Sequence, residues 1–122
     1  MRDSGTLARL AAQAAASKQG QDIVILDVSD LISITDYFVI ASGSSDRQIA
    51  TIAEEVERQL KPEAGKPVRR EGEAGARWLL LDYVDFVVHV FHEQEREFYR
   101  LENLWRDAPV VGWEEAAEVS SG

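Results

Sequence analysis

The feature that most restricts the fold is a pair of apolar runs separated by a very short break, in the segment GARWLLLDYVDFVVHVF (75–91). A chain that reverses direction within so few residues favours neighbouring antiparallel strands. The preceding segment VRREG (68–72) lies across a turn rich in Gly and Glu, which predicts one more hairpin strand. Side chains alternate along a strand, so the first apolar run has two bulky faces. One face comprises Trp78, Leu80 and Asp82, and the other comprises Leu79, Leu81 and Tyr83.

Helices and strands alternate along the rest of the chain. In order, the pattern predicts a helix ended by Gly20, strands over 22–28 and 37–43, a helix capped by Ser45 and closed by Pro62, the hairpin strands, and a helix with Phe98, Leu101, Leu104 and Trp105 on one side. This order indicates the α/β class, with a single domain built on a mixed β-sheet flanked by helices. We expect residues 1–108 to form this domain. Residues 109–122 include many small and acidic residues without periodicity, so we expect a loosely held C-terminal tail there.

The chain is strongly acidic, with 13 Lys and Arg against 22 Asp and Glu and a net charge of −9. This charge disfavours direct binding of nucleic acid and suits a basic protein partner. The absence of cysteine excludes disulfides and thiol chemistry and agrees with a reducing compartment. The N-terminal stretch does not resemble a secretory signal, and no run approaches the roughly 20 apolar residues of a membrane span. We therefore expect a cytoplasmic protein that does not enter a membrane.

Three possible sites of chemistry are weak on sequence grounds. The segment ASGSSDRQ (41–48) joins a strand to a helix, but it lacks the lysine of a P-loop and would place Asp46 beside a bound anion. His89 and His92 point to opposite sides of an ideal strand, so they cannot share a metal ion without a bend. No G-x-S-x-G elbow is present. We expect no catalytic residue, no cofactor and no bound metal.

The aromatic and acidic residues of the hairpin have a different interpretation. Trp78 and Tyr83, together with Asp82 and Asp85, are expected to gather at one end of the hairpin. Aromatic anchors ringed by acids are typical of an interaction hot spot for a basic partner. The alternative is structural, with Trp78 in the core and the two aspartates framing the turn.

Three motifs occur in a fixed order: DYFVIASGSSDRQ (36–48), RWLLLDYVDFVVHVF (77–91) and REFYRLENLWRDAP (96–109). Together they closely resemble the ribosomal silencing factor family, also called RsfS, Iojap or YbeB, from about Thr6 to Pro109. The resemblance implies a nucleotidyltransferase-like topology without that superfamily's catalytic acids, and therefore a protein that is not an enzyme. It also implies binding to the large ribosomal subunit through its ribosomal protein number fourteen. Such binding blocks joining of the small subunit and represses translation, while organellar relatives act in ribosome assembly.

The resemblance also assigns contact residues. They are Trp78, Asp82, Tyr83, Asp85 and His89, with Tyr99 and Arg100 as secondary candidates. Val84 stands where the family usually has a glycine. Because a β-branched residue tolerates positive φ poorly, we expect a turn of another type here. Two other functions remain as alternatives, namely a nucleotide-binding or nucleotidyltransferase-like enzyme and a homodimerisation module.

Overall fold

A computed structural model describes residues 3–72, 75–95 and 106–114 of the chain. The helices are α1 (Ser4–Ser17) and α2 (Asp46–Ala64), and the strands are β1 (Gln21–Asp27), β2 (Tyr37–Gly43), β3 (Arg69–Glu71), β4 (Trp78–Asp82), β5 (Phe86–His92) and β6 (Val110–Val111). Residues 93–95 are also helical. The predicted helix residues Phe98, Leu101, Leu104 and Trp105 lie outside the described residues.

The six strands form one sheet in the order β3-β4-β5-β2-β1-β6. Strands β2 and β5 are parallel, whereas the other neighbouring pairs are antiparallel. The predicted α/β class, with one domain and a mixed sheet, is therefore confirmed. The antiparallel strand pairings predicted from sequence are also present, since β3 pairs with β4 and β4 pairs with β5.

Helices α1 and α2 pack together on one face of the sheet and cover the main core. Helix α1 contributes small residues, and Ala8, Ala11, Ala12 and Ala15 are completely buried. Larger side chains from the strands fill the layer beneath them, including Ile25. Small residues on α1 allow the helix to lie close to its neighbours, and the large apolar side chains of this layer come from the sheet.

The opposite side of the sheet, which we call the far face, carries a second apolar cluster. Its buried members are Leu26, Val28, Ile40, Phe91 and Ala108. The alternation of β4 is as predicted: Leu79 and Leu81 are buried in the main core, whereas Trp78 on the far face is 39% exposed. The sheet therefore presents one tryptophan to its surroundings at the start of β4.

Both predicted helix ends need correction. Helix α2 continues through Pro62 to Ala64 and ends at Gly65, whose φ is 75°. Helix α1 turns at Gln19, with a φ of 69°, rather than at Gly20. Gly20 is needed for space instead, because a Cβ there would lie 2.8 Å from the carbonyl oxygen of Ala15.

The predicted N-cap of α2, Ser45, is confirmed. The Ser45 hydroxyl accepts from the amide of Gln48 at 3.1 Å. The Gln48 side chain does not return this bond to Ser45. Its Oε1 accepts from the amide of Ser44 at 2.7 Å, and its Nε2 donates to the carbonyl of Gln19 at 3.0 Å. Gln48 thus ties the start of α2 to the end of α1.

The segment after Ala108 is held more firmly than expected, at least over the described residues 109–114. Strand β6 pairs with β1, and the amide of Asp27 donates to the carbonyl of Pro109 at 2.9 Å. The Trp113 indole donates to the carbonyl of Ile23 at 3.1 Å. The expectation of a loose tail from residue 109 is therefore wrong for this stretch, because a two-residue strand is too short to recognise by periodicity.

Candidate functional site

The register of β4 against β5 determines which predicted contact residues meet. Trp78 pairs with Phe91, Leu80 with His89, and Asp82 with Val87. Trp78 and His89 point to the same face, and the diagonal spacing between two such positions is within reach of aromatic side chains. The far face thus brings together an aromatic pair that lies 11 residues apart in sequence.

Trp78 and His89 are joined by a hydrogen bond. The Trp78 indole N–H donates to Nδ1 of His89 at 3.3 Å, and the Trp78 ring stacks on Phe91 with centroids 4.7 Å apart. Phe38 meets the imidazole edge-on at 5.0 Å. Burial lowers the pKa of His89 to about 4, so the ring is neutral at pH 7. Since Nδ1 is the acceptor, the proton of the neutral ring resides on Nε2.

The turn between β4 and β5 keeps the positive φ that sequence analysis expected valine to avoid. Val84 has a φ of 76°, and the amide of Asp85 donates to the carbonyl of Tyr83 at 2.9 Å. This bond spans three residues, so Val84 is the centre of a γ-turn of the rare positive-φ form. Asp82 stabilises the turn, because its Oδ1 accepts from the amide of Val84 at 2.8 Å. The expectation that valine avoids positive φ here was wrong.

Acidic side chains collect around this turn. The C-terminal end of β1, the N-terminal ends of β2 and β5 and the C-terminal end of β4 all lie at the same end of the sheet. The carbonyl of Asp85 accepts from the amide of Asp36 at 2.9 Å, which fixes two exposed aspartates next to each other. The Arg69 guanidinium lies 3.7 Å from the Asp82 carboxylate. We call this end of the sheet the acidic rim; its aspartates are Asp27, Asp30, Asp36, Asp82 and Asp85.

Two parts of the predicted contact set are not brought together. Tyr83 faces the main core, is 9% exposed and stacks on Phe86 with centroids 4.9 Å apart. Burial raises the pKa of its phenol. Trp78 lies at the opposite end of β4 from Asp82, about 13 Å away along an extended strand. The expected gathering of all four residues at one end of the hairpin was therefore wrong, and Tyr83 is a core residue.

A cavity of about 330 Å³ opens beside the aromatic pair. It is lined by Ile34, Thr35, Phe38, Arg69, Leu80, Asp82, Val84, Val87 and His89. Ile34 and Thr35 were not predicted, because the segment LISIT (31–35) lies between the two predicted strands and has no clear periodicity of its own. The sequence signal that could have indicated this site was the pair of isoleucines, Ile32 and Ile34, in a loop. Ile34 is 79% exposed.

Other predicted sites differ in their outcome. Tyr99 and Arg100 lie outside the described residues. His92 faces the helix-covered side, and its Nδ1 accepts from the amide of Gln94 at 3.2 Å. Within 3–72, 75–95 and 106–114, no three His, Cys, Asp or Glu side chains are arranged to hold a metal ion. Over the same ranges, neither helix has the length and apolar character of a membrane-crossing segment.

The fold and the far face first define a class: an α/β domain that displays an aromatic cluster next to an acidic rim. The family model described as "Ribosomal silencing factor during starvation" matches residues 1–121. The chain belongs to this family of ribosomal silencing factors, as its motifs predicted. The family's role is regulatory.

Individual relatives agree in sequence and in structure. Ribosomal silencing factor RsfS of Bacillus subtilis (strain 168) is 42% identical over 106 residues, which cover 87% of this chain and 90% of that protein. The mouse protein named "Mitochondrial assembly of ribosomal large subunit protein 1" is 33% identical over 91 residues, or 72% of this chain and 40% of that protein. A crystal structure from Chromobacterium violaceum has a TM-score of 0.82 at 34% identity, covering 86% of this chain and 88% of that chain.

Proposed function

We propose that this chain binds the large ribosomal subunit through ribosomal protein number fourteen and blocks the small subunit from joining. The observation that carries the proposal is the exposed Trp78 on the far face, the face to which Asp82 of the acidic rim also belongs. A half-exposed tryptophan that is already stacked on Phe91 loses little freedom on binding. Such rigid aromatic groups are common anchors at the centre of protein interfaces.

The charge of the rim supports a basic protein as the partner. Segments 27–37 and 82–87 contain five aspartates and no lysine or arginine. Opposite potentials on two proteins speed their encounter and penalise wrong partners. The same charge repels the phosphates of exposed RNA, so the proposed contact is made with protein. Silencing then requires only that the bound domain occupies the space of the small subunit, without a chemical step.

The proposed contact set follows from the far face and its rim. It comprises Trp78, Asp82, Asp85 and His89, with Tyr99 and Arg100 as secondary members. Tyr83 is left out because its ring is buried in the main core. Asp85 is the most informative member, because it is exposed and its carbonyl, rather than its carboxylate, bonds to Asp36.

The proposal is tested by binding to purified large subunits, measured by sedimentation over a range of concentrations. We expect Asp85→Arg to weaken binding about tenfold and Trp78→Ala about thirtyfold, corresponding to roughly 1.4 and 2 kcal/mol. Glu54→Arg is the matched control, since it makes the same charge change at an exposed position on α2. Thermal melts of each variant show whether the fold is kept.

Two results would count against the proposal. If folded Asp85→Arg and Trp78→Ala bind like the wild type, the contact surface lies elsewhere on the molecule. If large subunits saturated with the wild-type chain still join small subunits at the normal rate, followed by light scattering, the blocking mechanism is wrong.

A further inference from the structure

Two buried polar atoms on the far face have no hydrogen-bond partner. Oγ1 of Thr35 and Nε2 of His89 are both unpaired within the described part of the chain. Thr35 is 6% exposed and His89 is 7% exposed, and both side chains line the same cavity of about 330 Å³. Buried polar groups are nearly always hydrogen-bonded in folded proteins, so two unpaired groups in one cavity call for an explanation.

The hydrogen-bonding character of both atoms can be assigned. Nδ1 of His89 accepts from the Trp78 indole, which can only donate, so Nε2 of the neutral ring carries the proton. The Thr35 hydroxyl can also donate. A ligand that satisfies both atoms must therefore present an acceptor, and a carbonyl oxygen with two lone pairs can receive both bonds.

The walls of the cavity restrict which acceptor fits. Ile34, Val84, Leu80 and Val87 contribute apolar surface, which suits an aliphatic stem. The carboxylate of Asp82 also lines the cavity, and its partner Arg69 is 3.7 Å away and largely in solvent. A carboxylate ligand would meet this acid at low dielectric, whereas an ammonium ligand has no acceptor to offer. An uncharged carbonyl on a short apolar stem avoids both problems.

We propose that this cavity receives the carboxamide of an asparagine or glutamine side chain of the docking protein, with its carbonyl oxygen bound by Thr35 and His89. The inference rests on the proposed function and names the chemistry of one contact within it. Water does not reach either atom in the free chain. Docking therefore has to shift a wall side chain, and Ile34, which is 79% exposed, is free to move.

The test separates a binding role of the Thr35 hydroxyl from a structural one. Thr35→Val keeps the shape of the side chain and removes the unpaired hydroxyl. We expect the Tm of this variant to equal or exceed that of the wild type, because no bond is lost in the free chain. Binding to purified large subunits is expected to weaken at least fivefold, because the docked carbonyl loses a donor. Thr35→Ser, which restores the hydroxyl, should recover most of the binding.

The control is Thr51→Val, a half-buried threonine of α2 on the other side of the molecule, which should leave binding unchanged. If Thr35→Val binds like the wild type while Asp85→Arg still weakens binding, the cavity inference fails and the proposed function stands. A Tm several degrees lower in Thr35→Val shows that the hydroxyl is satisfied in the free chain, which also overturns the inference. If wild-type chain does not bind large subunits at all, the proposed function and this inference fail together.

Discussion

Val84 occupies a backbone conformation that a β-branched side chain rarely adopts, and its side chain is 51% exposed. Positive φ brings Cβ close to the following carbonyl, at a cost of about 1 to 2 kcal/mol for an ordinary residue. Three interactions hold the turn in place: the Asp82 carboxylate on the Val84 amide, the γ-turn bond and the pairing of β4 with β5. Strained residues of this kind are often found next to functional sites, which agrees with the position of Val84 on the cavity wall.

We predict that Val84→Gly stabilises the free chain by about 1 kcal/mol, since relief of positive-φ strain exceeds the added entropy of glycine in the unfolded state. In a domain of this size the Tm should rise by about 4 °C. Gln19→Gly is a matched control with a φ of 69° but no β-branch, and its gain should be smaller. A Tm that falls in Val84→Gly would mean that packing of the valine outweighs its strain.

The imidazole of His89 makes stability depend on pH in a defined window. Its pKa is lowered from 6.5 to about 4 by burial, so the unfolded chain binds a proton more readily than the folded chain between these values. Stability is therefore complete above pH 6.5 and is lost as the pH falls toward 4, by up to about 3 kcal/mol. The charged groups that share its cavity are Asp82 and Arg69.

Urea unfolding at several pH values measures this loss. His89→Phe should have a flatter curve between pH 6.5 and 4, because the ionisable group is removed. An equally steep curve in His89→Phe would assign the loss to other groups.

At the scale of elements, what could be predicted from sequence depended on local periodicity. Alternation along β4 correctly put Leu79 and Leu81 on one face and Trp78 on the other, because a strand has a strict period of two, but it left open which face is the core. The hairpin turn itself was not predictable in the same way. Val84 adopts positive φ because pairing of two strands and a side-chain cap outweigh its own preference, and such tertiary effects are not encoded in one residue.

The candidate site shows the same division between local and long-range information. The sequence indicated Trp78 and His89 separately, but their hydrogen bond depends on the register of β4 against β5. Prediction of the cavity would require further long-range information. Thr35 reaches the cavity from the loop before β2, and β2 lies beside β5 through a parallel pairing. Parallel neighbours are joined by long crossover connections, and their adjacency leaves no short-range pattern in the chain.

At the scale of the whole molecule, the described part of the C-terminal segment is hydrogen-bonded to the first helix, α1. The Arg9 guanidinium donates to the carbonyl of Gly112 at 2.9 Å, and the Gln13 side chain donates to the carbonyl of Trp113 at 3.0 Å. These bonds join α1 to residues about 100 positions later in the chain. The bonds hold the residues just after β6 against α1, whereas β3, at the opposite edge of the sheet, is exposed at each of its three residues. Hydrogen bonds between α1 and residues 112–113 thus hold the sheet that carries the far face and the acidic rim on its β6 side, away from β3.

The net charge of −9 gives a prediction for the entire molecule. If the partner is basic, its association with this chain should slow steeply as salt rises, because the Debye length shortens from about 10 Å at 0.1 M to about 3 Å at 1 M. Neutralising the acidic rim with Asp36→Asn and Asp85→Asn should make this salt dependence shallower. Glu54→Gln, on the exposed side of α2, should change it little.

Stopped-flow measurement of association with large subunits at several salt concentrations compares the wild type with the rim variant and with Glu54→Gln. Dissociation should change less than association, since rim charges act mainly during encounter, while Trp78 and the cavity retain the bound complex. Binding that strengthens with salt would show that apolar contact dominates recognition and that the aspartates of the rim serve another purpose.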